Sequence, residues 1–131
     1  MNDAFEQVLR EIGEAIAADV GGDPEGTFLY AEPGPAVLAA SLYKDFGDRV
    51  VYYVIGMELC DKVLDAWEMA EPSNQWSALH YAITDGRFDV HFDYPEDWVE
   101  GERFDERCDR VTDAKYGDRT IEYPPFGPDE E

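Results

Sequence analysis

The sequence predicts an α+β domain: an about five-stranded, mostly antiparallel sheet with helices packed on one face, in the order α-β-β-β-α-β-β-α. Three observations predict it. Apolar residues recur at helical spacing near the N-terminus, in the middle and near residue 110. Runs rich in aromatic and β-branched residues lie between them. Asp85-Gly86 joins two of those runs, and that dipeptide is the strongest short-range hairpin signal.

The first helix is expected over residues 3–19, where Phe5, Val8, Leu9, Ile12 and Ile16 form one stripe and Glu6, Glu11 and Glu14 the wet side. Gly21, Gly22 and Pro24 stop it. A meander follows, with strands at 27–32, 36–43 and 49–55 across turns at Pro33-Gly34-Pro35 and Asp45-Phe46-Gly47-Asp48. Val50-Val51-Tyr52-Tyr53-Val54-Ile55 is continuously apolar and reads as a central strand. Residues 58–71 form a second helix, with Leu59, Val63, Ala66, Trp67 and Ala70 on its stripe, until Pro72 ends it. Trp67 and Trp76 are expected in the core.

The hairpin spans 76–84 and 87–94. A two-residue turn sets Thr84 opposite Arg87 and makes Leu79, Tyr81 and Ile83 face Phe92, Val90 and Phe88, an apolar surface for the helices. The other surface sets His80 against His91, flanked by Asp89 and Asp93. A third helix is expected over 102–116 with Phe104, Cys108 and Val111 inward. Residues 1–117 make the single α+β domain, and 118–131 a Pro-rich acidic tail with Pro124, Pro125 and Pro128.

At 131 residues, 44% hydrophobic, the chain can bury about two thirds of its unfolded surface and needs no metal or disulfide to stand. Thirty-one acids against ten bases give a formal charge of -21. That excess argues against nucleic acid or an anionic membrane as partner, since phosphate recognition needs clustered Lys and Arg. It favours a basic protein partner or a salt-rich cytoplasm, and the three lysines among the ten bases suit either. The acidic N-terminus and the lack of a long apolar run predict a cytoplasmic protein. Cys60 and Cys108 lack zinc-type spacing and read as reduced, largely buried thiols.

Catalytic motifs are missing from the sequence. It has no phosphate-cradling glycine loop and no G-x-S-x-G elbow, and the predicted register sets no nucleophile beside His80. No catalytic residue is assigned, no cofactor is called for, and the protein is not expected to be an enzyme. His80, His91, Asp89 and Asp93 are candidate ligands for Zn²⁺ or another divalent ion, set against the plainer reading of a solvated sheet face. Trp98 sits in an acidic loop beside Glu96, Asp97 and Glu100, where an exposed indole would anchor a basic partner.

Several of these segments are similar to one family. Gln75-Trp76-Ser77-Ala78-Leu79-His80-Tyr81, then Thr84-Asp85-Gly86-Arg87-Phe88, then Asp89-Val90-His91-Phe92-Asp93-Tyr94 resembles the signature hairpin of the YezG-like immunity proteins. In that family a Trp opens the first strand, a Gly-x-Phe follows the turn and a Phe-Asp-Tyr ends the second strand. Thr27-Phe28-Leu29-Tyr30-Ala31-Glu32 is similar to the family's first strand, and the likeness covers residues 5–116. The chain departs from the family in its Asp content, in His80 and His91, and in its tail.

The resemblance implies an immunity protein, or antitoxin, of a bacterial polymorphic toxin system, which binds a toxin domain that is often a nuclease. It implies no catalytic residues. A nuclease is basic where it holds phosphate, so an acidic blocker complements it. The expected partner-binding patch is Asp89, His91, Asp93, Tyr94, Asp97 and Trp98. The alternative is a salt-adapted acidic protein of structural or regulatory role, marked by a melting temperature that climbs into molar KCl. An open sheet face would also suit a homodimer.

Overall fold

The computed structural model describes residues 3–34, 37–117 and 119–123. Helix α1 (Asp3–Asp19) leads into β1 (Thr27–Gly34), β2 (Val37–Asp45) and β3 (Val50–Tyr53). Helix α2 (Met57–Glu68) and a 3₁₀ turn at Pro72–Asn74 precede β4 (Ala78–Thr84) and β5 (Arg87–Asp93). A second 3₁₀ turn at Pro95–Asp97 leads to α3 (Phe104–Tyr116) and the two-residue β6 (Ile121–Glu122). The sheet order is β5-β4-β1-β2-β3-β6, antiparallel throughout except for β3 with β6.

The α+β class, the meander and the hairpin are as expected, with six strands among the described residues rather than five. The sixth comes from the segment expected as tail, where Ile121 pairs with Val50. Residues 118 and 124–131 of that tail, Pro124, Pro125 and Pro128 included, lie outside the described residues, as does Pro35 of the expected turn; Pro33 and Gly34 belong to β1. No helix of the described residues is long and apolar enough to cross a membrane.

The hairpin register follows from its turn. Asp85 (φ 56°) and Gly86 (φ 74°) both take positive φ, the type I′ geometry whose twist matches the flanking strands. Thr84 therefore faces Arg87 and His80 faces His91. Leu79, Tyr81 and Ile83 pack with Phe88, Val90 and Phe92 on the core made with α1 and α2. Helix α1 comes close at Gly13, where a Cβ would stand 2.8 Å from the Tyr81 hydroxyl, and that hydroxyl donates to Leu9 O at 2.6 Å.

Two expectations are corrected. The central strand is β1, not the 49–55 run: Thr27 to Ala31 is buried at every position, whereas β3 is four residues long and Val54 beyond it is exposed. A strand buried on both faces needs a layer on each. Leu29 and Ala31 meet α1 and α2, and Phe28 and Tyr30 meet α3. The helices are thus divided between the two faces instead of sharing one. Helix α3 supplies a second, smaller core, with Phe104 stacked on Tyr30 and Tyr116 edge-on to Phe28 and Tyr43. Both cysteines are free; Cys108 is buried there, 3.2 Å from the Tyr43 hydroxyl, and Cys60 is half-buried.

Candidate functional site

The outer strand of the hairpin, β5, ends the sheet, and alternation decides what it shows. Phe88, Val90 and Phe92 turn to the first core, so Asp89, His91 and Asp93 share the opposite face with His80 of β4. Asp93 binds both rings. Its Oδ2 lies 2.7 Å from His80 Nε2 and its Oδ1 3.1 Å from His91 Nε2. An ionised carboxylate only accepts, so each Nε2 carries the proton it donates. His80 is largely covered, its ring edge-on to Tyr30 at 5.1 Å and to His91 at 5.1 Å. The His91 side chain is 70% exposed.

The four residues grouped as candidate ligands therefore separate. His80, His91 and Asp93 each offer a ligand atom within 4.8 Å of the others, and Asp89 stands outside that group, exposed farther along the strand.

The six residues of the expected partner patch divide as well. Asp89, His91 and Asp97 are exposed. Tyr94 is half-buried against the first core, and its backbone N–H donates to Asp97 Oδ2 at 2.9 Å, so Asp97 also caps the turn. Trp98 is not a free anchor. The Arg107 guanidinium lies 3.8 Å from its ring centre, and the indole is half-buried on the second core. Val99, 62% exposed, is the apolar side chain that the loop presents. Trp76 is buried as expected, whereas Trp67 is half-buried and donates from Nε1 to Trp76 O at 2.9 Å.

Beneath Trp98 lies an ion pair that the sequence reading missed. Arg107 Nε and Nη2 donate to the two Glu32 carboxylate oxygens at 2.6 and 2.8 Å, with side chains 9% and 8% exposed. Arg107 also donates to Glu102 O, and the Tyr30 hydroxyl donates to Glu32 at 2.6 Å. Glu32 holds the guanidinium pKa above its usual value, and burial with Glu32 beside it pushes the Tyr30 phenol far up. One signal was available: Arg107 falls on the inward stripe of Phe104, Cys108 and Val111 at i, i+3, i+4, i+7 spacing, where a charge needs a partner.

Acid follows the edge. From Asp85 to Glu102 the chain carries Asp85, Asp89, Asp93, Glu96, Asp97, Glu100 and Glu102 against Arg87 alone. Five of these acids, at 85, 89, 96, 97 and 100, are exposed. A groove of about 480 Å³ opens at the Pro95 end, walled by Pro33, Trp67, Trp76 and Trp98, with Tyr94 and Glu96 as its ionisable lining groups. No protein-family model matches the chain, and no curated protein matches it.

Proposed function

We propose that this protein is a binding protein of the immunity (antitoxin) type, similar to the YezG-like proteins, that neutralises a basic, nuclease-type toxin domain. The observation that carries the reading is the acidic edge: five exposed carboxylates in the turn before β5, on β5 and in the loop after it, around exposed Val99. A basic domain built to hold phosphate presents the opposite potential. Complementary fields of this kind raise association rates from about 10⁵–10⁶ toward 10⁸–10⁹ M⁻¹s⁻¹ at low salt. The resemblance of the hairpin and first strand supports the same class.

Asp89 and Glu96 are the residues to reverse, because both are exposed and, among the described residues, neither holds an internal bond as Asp93 and Asp97 do. Stopped-flow association of the Asp89→Lys/Glu96→Lys variant with the cognate toxin domain should be several-fold slower at low salt, and the difference should shrink as salt rises. An unchanged on-rate at low salt would move the interface off this edge.

A further inference from the structure

Both histidines of the chain stand within one three-residue group, with Asp93 between them. The hairpin register puts His80 directly opposite His91, and Asp93 follows on the same face two residues on. Both Nε2 atoms point at its carboxylate. We propose that His80, His91 and Asp93 form a binding site for one divalent cation of the Zn²⁺ class. The proposal does not depend on the toxin-binding reading.

The geometry suits such an ion. Zn–N and Zn–O bonds of about 2.0–2.1 Å in a tetrahedral site set ligand atoms about 3.3 Å apart. The present Nε2···O separations of 2.7 and 3.1 Å go to different Asp93 oxygens, and the three ligand atoms lie within 4.8 Å of one another. Binding therefore draws the groups together about one ion while each Nε2 proton passes to Nδ1 of its own ring. Two of the ligands are already placed. His80 and Asp93 come from paired strands with side chains about one fifth exposed, and the Tyr30 and Phe28 rings flank the His80 imidazole. His91, exposed, is the ligand that swings to close the site. Water completes the coordination on the solvent side.

Charge and donor type agree. The set carries one negative charge inside a chain of net charge -21, so the surrounding field attracts cations. The nearby cation Arg110 is tied to Glu102 through two bonds of 3.1 and 2.8 Å, which offsets its charge. Two imidazoles with one carboxylate select borderline metals, whereas Mg²⁺ and Ca²⁺ prefer all-oxygen shells. That difference separates this site from the many surface carboxylates, which lack imidazole.

The test is a calorimetric titration of chelator-treated full-length protein with Zn²⁺ in excess Mg²⁺, which occupies the carboxylate-only positions. The expected result is one saturable equivalent, weakened at least about 10–100-fold in His91→Ala and unchanged in Asp89→Asn. His91 is exposed, so its loss leaves the fold intact, which circular dichroism checks. Because the chain has only two histidines, imidazole NMR gives a second readout: both rings should shift together and stop changing at one equivalent. No Zn²⁺ heat above the Mg²⁺ background, an undiminished His91→Ala, or movement of the His91 ring alone would overturn the site.

Discussion

Gly13 shows how a single hydrogen atom can set the distance between two layers. An exposed helical Gly→Ala change usually gains about 1 kcal/mol from helix propensity. Here the added methyl meets the hydroxyl of Tyr81, a fully buried ring that cannot swing away without losing its bond to Leu9 O. Overpacking of that kind costs about 1–3 kcal/mol, so the penalty outweighs the propensity gain. Gly13→Ala should melt below the parent, and Gly13→Ala/Tyr81→Phe should melt above Gly13→Ala. A Gly13→Ala variant more stable than the parent would show that the layers are looser than described. At the same scale the histidine cluster was legible in the sequence, because a two-residue turn fixes which side chains oppose. The covering of Trp98 was not, because it depends on a helix whose position local pattern does not determine.

Helix α3 is the element on which the second face depends. Its apolar stripe is interrupted by Arg107, and the interruption is filled by Glu32 of β1, the Trp98 ring and Glu102 O. Removing one member of a buried pair leaves an uncompensated charge, at a cost of about 3–5 kcal/mol, whereas replacing both by apolar groups is often neutral. Chemical denaturation of Arg107→Met should show a loss of that size, and Arg107→Met/Glu32→Leu should recover most of it. Equal losses in both variants would mean that the pair does not act as a unit. The same stripe explains why the sequence placed all the helices on one face. A charged residue among Phe104, Cys108 and Val111 reads as a narrow, weakly amphipathic helix, and only the buried partner on β1 shows that the helix has its own face to cover. Strand β6 was illegible for a different reason: two residues, Ile121 and Glu122, are too short to show alternation.

For the whole molecule, the balance lies between a core that needs no help and a surface that repels itself. The sheet is covered on both faces, with α1 and α2 on one side and α3 on the other. The compact state therefore tolerates a formal charge of -21, although the like charges must cost it stability that salt restores. The class, the strand order within the meander and the hairpin came from patterns of period 2 and 3.6, which sequence shows directly. The double covering did not, because β1 differs from a half-buried strand only in being apolar at successive positions, and the 50–55 run shares that property without sharing the burial. Composition carried the partner expectation; in the structure, acids gather along β5 and the loop beyond, where the sheet ends.

In the proposed function, this acidic edge captures and silences a basic protein. The most direct measurement is capture on the immobilised protein at low salt from a lysate of the cells that make it, with mass spectrometry of what is bound and an activity assay of it bound and released. The expected result is a protein with a basic toxin-type domain, eluted by salt, inactive while bound and active once free. Recovery of nothing, of the chain alone, or of a partner whose activity binding leaves unchanged would contradict it.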